Sequence, residues 1–236
     1  PMMPHARRTV FWIHNPAGYL LKWRYLSKLW RLKPAIIFIG TVHAGTYPAW
    51  APDGGRYVIP YGISKDFMTA KVAAEPPAPR AVFSSNPLRS LDWLLDRWSQ
   101  DIAPQVPGAE LHLFTGAATY GTIGDSKAGE MAHVLSRAGK LGDQGVRVRG
   151  PVTKTPLIEE ILSARCMLYR GDINETFCLA VGEAQAMGVP GVVQNLGSVV
   201  ERVIDGETGF VTTERRAFSN AAIRLLSDND LWRRQH

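Results

Sequence analysis

The sequence predicts an α/β fold whose larger part is a doubly wound parallel β-sheet. From residue 81 onward, short apolar runs alternate with amphipathic stretches, the pattern of repeated βαβ units. A proline-rich stretch without periodicity, KVAAEPPAP at 71–79, separates this region from an N-terminal part with apolar runs of its own. We therefore expect two domains, an N-terminal one at 1–75 and a larger one at 76–236.

In the N-terminal part, apolar runs predict strands at 9–14 and 35–39 and a short strand at 56–60. Between the first two strands the spacing predicts a helix over 19–32, which Pro34 ends. Its apolar positions are Tyr19, Trp23, Leu26 and Trp30, and its basic ones Lys22, Arg24, Lys28 and Arg31. We expect the apolar face to pack on its own sheet; contact of this basic amphipathic helix with a membrane surface is the alternative.

The C-terminal part predicts six strands and six helices in alternation. The strands are 81–84, 110–115, 146–149, 166–169, 190–194 and 209–212, and the helices are 89–99, 128–139, 155–164, 176–187, 198–204 and 215–227. In such sheets, ligands bind at the carboxyl ends of the strands. The functional residues are therefore expected in the loops that follow them.

Composition narrows the function classes. A net charge of +6 favours an anionic partner, but no nucleic-acid motif accompanies the charge, so no nucleic-acid partner is expected. The two cysteines lack metal or redox spacing, and no G-x-G-x-x-G follows a strand, which argues against a nicotinamide enzyme. Without a secretory signal or a spanning apolar run, we expect a cytoplasmic location, with peripheral contact to the inner membrane face as an alternative.

The stretch ETFCLAVGE, from Glu175 to Glu183, carries most of the functional signal. With a helix start near 176, Glu175 lies at the N-cap edge and Glu183 about 2.2 turns further on. Unpaired N–H groups of the first turn suit a phosphate, and the carboxylates can accept bonds from hydroxyl groups. Such a pair is commonly just solvated, but an unpaired carboxylate among the apolar neighbours of Glu183 would be costly to bury. This cost, together with the motifs that flank the stretch at 59–63, 197–201 and 205–210, leads us to expect that both are functional.

This stretch resembles the E-x7-E signature of the retaining, GT-B-fold glycosyltransferases (glycosyltransferase family 4, glycosyl transferases group 1), whose motif runs E-G-F-G-x-x-x-x-E-A-M-A-x-G-x-P. The resemblance covers about residues 56–227. It extends to the runs IPYGI at 59–63, GSVVE at 197–201 and DGETGF at 205–210. It implies a GT-B-like fold with a nucleotide-sugar-binding C-terminal domain and a partial Rossmann-like N-terminal domain.

The resemblance also implies roles for single residues. Glu183 would bind the ribose hydroxyls, and Glu175 would face the donor sugar. The backbone of Phe177, Cys178 and Leu179 would lie near the sugar and the distal phosphate.

The family places an Arg and a Lys against the pyrophosphate. Arg89, in SSNPLRSLD at 84–92, matches the second basic position, whereas a serine stands where the first Arg is usual. Lys154 or Arg149 could supply that charge instead. The base-binding segment matches Arg149, Gly150, Pro151 and Val152.

The N-terminal part offers a histidine to the donor sugar. His14 follows the first predicted strand and resembles the family histidine that reaches the sugar near its reacting carbon. His43, in TVHAG at 41–45, competes for that role.

The implied function is transfer of a sugar from a UDP- or GDP-sugar to a carbohydrate or lipid-linked acceptor, with retention of configuration and without a metal or other cofactor. We expect the acceptor-side domain to be incomplete in this chain, since a doubly wound domain takes roughly 150 residues, and transfer by this chain alone to be negligible. A non-catalytic nucleotide-sugar-binding module and a GT-B-fold nucleotide-sugar epimerase are the alternatives.

Overall fold

The computed structural model describes residues 8–236, apart from the side chain of Ile123. The first seven residues of the predicted domain 1–75 lie outside this range. Two parallel sheets organise the described part of the chain, one of three strands and one of six.

The smaller sheet has the order β1-β2-β3, formed by Val10–Trp12, Ala35–Phe38 and Arg56–Val58. All three strands are parallel, and Trp12 pairs with Ile37 and Phe38 with Val58. Helix α1, Trp23–Leu32, connects β1 to β2, and α2, Thr41–Gly45, follows β2.

The helix predicted over 19–32 is divided in the structure. A 3-10 segment, Ala17–Leu21, comes first, and Lys22 takes an extended conformation before α1 begins. The predicted apolar face is wrong in part, because Leu26 and Leu29 are buried while Trp23 is 73% exposed and Trp30 49%. The spacing predicted an apolar face that includes Trp23 and Trp30. The helix instead buries the neighbouring face, which carries Leu26 and Leu29.

The larger sheet has the order β6-β5-β4-β7-β8-β9, with every pair parallel. Its strands are β4 Arg80–Phe83, β5 Glu110–Leu113, β6 Val146–Val148, β7 Cys166–Tyr169, β8 Gly191–Gln194 and β9 Gly209–Thr212. The chain winds outward from β4 to β6, returns to β7 beside β4, and winds the other way to β9. The predicted doubly wound sheet is thus confirmed, with its switch point between β4 and β7.

Helices connect these strands. They are α3 Lys65–Met68, before β4, and then α4 Leu91–Arg97, α5 Gly121–Ser126, α6 Ala128–Gly139, α7 Lys154–Leu162, α8 Leu179–Ala186, α9 Arg215–Ser227 and α10 Asn229–Gln235. Phe67 of α3 is buried in the same apolar core as the larger sheet. Trp232 of α10 is also buried, and its indole N–H donates to the Arg165 carbonyl at 3.1 Å.

Two helices predicted in the C-terminal part, 176–187 and 198–204, differ from what the structure shows. The segment predicted as 198–204 is a 3-10 turn, Gly197–Glu201. Helix α8 begins at Leu179 rather than near 176, because Cys178 has a φ of 66° in the left-handed region. A left-handed residue cannot continue a right-handed helix. Glu175 is consequently four residues ahead of α8, in a loop.

Among the described residues, no helix is both long and apolar enough to cross a membrane.

Candidate functional site

A cleft of about 480 Å³ lies over the carboxyl ends of β4, β5 and β7. Its lining comes from the three loops that follow these strands, and from the first turns of α8. The lining residues are Ser84, Ser85, Asn86, Arg89, Thr119, Tyr120, Glu175, Cys178, Leu179, Ala180 and Glu183. The cleft thus occupies the topological switch point, where doubly wound sheets bind their ligands.

An ion pair between Arg89 and Glu175 crosses the floor of this cleft. The Glu175 carboxylate is only 9% exposed and also accepts a 2.9 Å hydrogen bond from the Tyr169 hydroxyl. Burial alone would lower the pKa of Arg89, but the hydrogen bond and charge of Glu175 outweigh it and raise that pKa. Burial also raises the pKa of Tyr169, which keeps its hydroxyl protonated as a donor.

The backbone around Glu175 depends on one glycine with a positive φ. Gly197 has a φ of 65°, and a Cβ there would lie 2.2 Å from the Asp172 carbonyl oxygen and 3.2 Å from Glu175 Cβ. This close approach lets the Ser198 N–H donate to the Glu175 carbonyl at 3.0 Å. The turn 197–201 therefore supports the loop that carries Glu175.

The segment from Phe177 to Leu179 leads into α8. Cys178 lines the cleft from a buried position, and burial raises the pKa of its thiol, so the thiol is neutral. Phe177 is buried with its ring edge-on to Tyr61, at a centroid distance of 5.2 Å, and the Arg202 guanidinium lies over it at 4.2 Å. Of the three predicted residues, Cys178 and Leu179 line the cleft, while the Phe177 side chain packs against Tyr61 and Arg202.

Glu183 lies in the middle of α8 and lines the same cleft as Glu175. Because Glu175 is outside the helix, the two do not share a helix face as predicted, and the loop brings them together instead. The half-buried Glu183 carboxylate makes no hydrogen bond or ion pair within the described residues. Desolvation raises its pKa, and the positive charge of Lys154 partly opposes this.

The four residues predicted after β6 lie outside the lining of the cleft. Arg149, Gly150 and Val152 follow that strand in an outer loop and Lys154 begins α7, and all but Gly150 are exposed. The loop abuts the one after β5, because a Cβ on Gly116 would lie 3.0 Å from the Pro151 ring. Lys154 Nζ donates to Ser64 Oγ at 3.0 Å and lies 3.4 Å from Asp66 Oδ2, so its charge is directed toward α3.

His14 follows β1 and reaches the larger sheet at the segment next to Glu175. Its carbonyl oxygen accepts a 2.7 Å hydrogen bond from Thr176 Oγ1, and its ring Nδ1 is hydrogen-bonded to the Tyr61 hydroxyl. The exposed ring is not part of the cleft lining. The loop after β1 therefore adjoins the site rather than forming its wall.

His43 is buried, and backbone groups use both nitrogens of its ring. Nδ1 accepts from the Ile39 N–H at 3.2 Å, which leaves Nε2 to donate to the Asn15 carbonyl at 2.8 Å. Burial lowers the pKa of this ring and keeps it neutral. His43 thus has no free nitrogen for a sugar and instead supports the loop that carries His14.

Several residues at the site were not predicted from the sequence. Asn86, Thr119 and Tyr120 line the cleft, and Tyr169 binds Glu175 from the last position of β7. Burial raises the pKa of Tyr120. The rule that ligands bind after strand ends could have identified the loop after β5, but no motif marks its residues.

Comparison with known proteins agrees with this architecture. The family model "Glycosyl transferases group 1" matches residues 79–228. A D-inositol 3-phosphate glycosyltransferase of Nocardioides sp. is 33% identical over 104 residues, which cover 41% of this chain and 22% of that protein.

Two solved structures show the same fold at low identity. HepE of Anabaena, solved with UDP and glucose, has a TM-score of 0.73 at 17% identity, covering 97% of this chain and 65% of its own. Sucrose-phosphate synthase of Thermosynechococcus elongatus has a TM-score of 0.70 at 19% identity, covering 96% and 60%. The chain thus spans less than two thirds of each of these relatives.

These matches confirm the GT-B-like α/β class expected from the sequence. The family model covers the whole of the larger sheet and the cleft above it. This chain belongs to the glycosyl transferases group 1 family.

Proposed function

We propose that the cleft binds a nucleotide sugar, and that the protein transfers the sugar from a UDP- or GDP-sugar to an acceptor with retention of configuration. The observation that carries the proposal is the convergence of Arg89, Glu175, Glu183 and the start of α8 in one cleft. HepE, which shares the fold, was solved with UDP and glucose. UDP and glucose together have the three chemical parts, diol, diphosphate and sugar, that these groups can bind.

Each group suits one part of the donor. The half-buried Glu183 carboxylate has free lone pairs for the two ribose hydroxyls. The Arg89 guanidinium and the N–H groups at the start of α8 would bind the diphosphate. Glu175 and the backbone of 177–179 would hold the donor sugar, with His14 on its other side.

The reaction requires stabilisation of the diphosphate as it leaves. Preorganised donors directed at developing negative charge supply such stabilisation, and Arg89 with the α8 N–H groups offers it here. We propose that these groups carry the charge without a metal. The acceptor, a carbohydrate or a lipid-linked sugar, would approach from the side of the smaller sheet, where His14 lies.

Binding and turnover together test the proposal. Thermal stability should rise with UDP- or GDP-sugars, and most with the sugar that binds most tightly, since a ligand of the native state stabilises it. No stabilisation by any UDP-, GDP- or ADP-sugar would reject the site. Product analysis then separates the alternatives: an epimerase converts donor without acceptor, a binding module converts nothing, and a transferase consumes donor only when acceptor is present.

We also propose that α1 contacts an anionic membrane surface. Trp23 and Trp30 are exposed two helical turns apart, with basic residues between them. Residues 1–52 contain seven Lys and Arg and no Asp or Glu. Exposed tryptophans within a cationic segment suit the interface of anionic lipids.

Vesicle sedimentation tests this contact. The chain should sediment with vesicles containing phosphatidylglycerol but not with phosphatidylcholine alone, and Trp23→Ala/Trp30→Ala should abolish binding. Trp50→Ala, which removes an exposed tryptophan outside α1, is the control. Equal binding by all three proteins, or equal binding to RNA, would contradict the proposal.

A further inference from the structure

Tyr61 lies in the segment that joins the two sheets, between His14 of one and Phe177 of the other. Its ring stacks on the His14 ring with centroids 5.6 Å apart and an interplanar angle of 11°. The Tyr61 ring also packs edge-on against the Phe177 ring, with the two centroids 5.2 Å apart. Tyr61, in the run IPYGI at 59–63, therefore contacts residues of both halves of the chain.

The hydroxyl of Tyr61 bonds to one particular nitrogen of His14, Nδ1. Burial raises the pKa of Tyr61, so the hydroxyl carries its proton. Within the described residues His14 is its hydrogen-bond partner. A phenol that donates to Nδ1 requires the neutral imidazole to carry its proton on Nε2.

A second contact fixes the backbone of the same residue. The Thr176 hydroxyl donates to the His14 carbonyl at 2.7 Å, and Thr176 directly follows Glu175. The His14 backbone is thereby tied to the loop that carries Glu175, and its ring is held by Tyr61. Both the position and the orientation of the imidazole are set by residues outside β1.

We infer that Tyr61 is a positioning residue that holds His14 as the Nε2–H tautomer and presents this N–H as a hydrogen-bond donor to the donor sugar. The inference rests on the proposed function, because it assigns the sugar as the partner of Nε2–H. A fixed tautomer makes His14 a donor rather than an acceptor, and so selects for an oxygen lone pair on the sugar.

The first experiment is independent of any ligand. Nitrogen-15 NMR of histidine-labelled protein at a pH where imidazole is neutral reports the tautomer of each ring, and a His14→Gln variant identifies the His14 signals. Wild type should show His14 with two well-separated ring-nitrogen shifts, those of one tautomer with the proton on Nε2. Tyr61→Phe, which keeps the ring but removes the hydroxyl, should bring the two shifts together as the tautomers exchange.

Tyr57→Phe is the matched control, since Tyr57 is an exposed tyrosine on β3 whose hydroxyl makes no hydrogen bond in the described part of the chain. It should leave the His14 signals unchanged. Averaged shifts for His14 in wild type, or a proton on Nδ1, would overturn the assignment.

The second experiment concerns the sugar, with calorimetry on UDP-glucose and UDP. Tyr61→Phe should weaken binding of UDP-glucose roughly 3- to 10-fold, the effect of one hydrogen bond, and leave UDP unchanged. An equal loss for both ligands, or no loss for UDP-glucose, would overturn the role toward the sugar. If wild type binds neither ligand, the proposed function fails instead, while the NMR result still decides the tautomer.

Discussion

Arg89 and Glu175 form an ion pair across the point where the larger sheet reverses its winding. Arg89 comes from the loop after β4 and Glu175 from the loop after β7, two strands that are neighbours in space and far apart in sequence. The guanidinium is 39% exposed and the carboxylate 9%. Both residues line the cleft, and the cation of the pair is the more accessible of the two, an arrangement that suits a phosphate ligand.

Arg89→Ala should weaken binding of UDP more than binding of uridine, because only UDP offers a diphosphate to the guanidinium. We expect a loss of about 1.5–3 kcal/mol for UDP, the range for a hydrogen bond to a charged group. Calorimetry measures both affinities. Arg31→Ala, an exposed arginine of α1, is the control and should change neither. Equal losses for UDP and uridine would count against a diphosphate at this position.

Glu183→Gln should weaken UDP and uridine alike, because both carry the ribose diol. The expected loss is about 1.5–3 kcal/mol, and the fold should remain intact. Glu159→Gln, on the exposed face of α7, is the control with the same change of charge. Unchanged affinity of Glu183→Gln for every nucleotide tested would remove the ribose assignment.

The same carboxyl group should make stability depend on pH. Desolvation raises the pKa of Glu183 above its unfolded value, so the folded state loses stability as the pH rises from the unfolded pKa to the folded pKa, and the loss is complete above the latter. Without ligand, Glu183→Gln should therefore melt at a higher temperature than wild type at neutral pH. The difference should vanish as the pH falls through the folded pKa and below the unfolded one. A melting-temperature difference that is constant with pH would show that desolvation of the charge is not the cause.

Gly197→Ala should destabilise the fold more than Gly206→Ala, although both glycines have positive φ. A methyl group at 206 meets nothing within 4 Å, so its cost should be about 1–2 kcal/mol from backbone strain alone. At 197 the methyl would lie 2.2 Å from the Asp172 carbonyl oxygen, which should add about 1–3 kcal/mol. Urea denaturation gives both free energies of unfolding. If the two variants are equally stable, the tight turn beneath Glu175 is not as close as described.

Much of the fold could be predicted from the sequence, because buried parallel strands are apolar runs and their spacing is regular. The strands of the larger sheet begin and end within two residues of the predicted ranges. The start of α8 could not be predicted, since the left-handed conformation of Cys178 has no sequence signal of the kind that glycine gives. For α1, periodicity identified a helix but could not show that Leu29, rather than Trp23, faces the core.

The candidate site could be predicted only through the resemblance. The order of motifs selected Glu175, Glu183 and Arg89, and the structure brings all three into one cleft. The pairing of Arg89 with Glu175, and the support from Tyr169, depend on which strands become neighbours. The order of strands in the sheet is a property of the tertiary structure, and the patterns of a single sequence do not specify it. The segment 149–152 matched the base-binding motif but does not line the cleft, and Lys154, expected to supply charge, contacts Ser64 and Asp66 instead.

The loop 175–177 contributes both to the cleft and to contacts with the other half of the chain. It supplies the Glu175 carboxylate to the cleft, and through Thr176 and Phe177 it also holds His14 and Tyr61 of the other sheet. One loop therefore both lines the cleft and contacts the segments that follow β1 and β3. A ligand that displaced this loop would also displace its contacts with His14 and Tyr61.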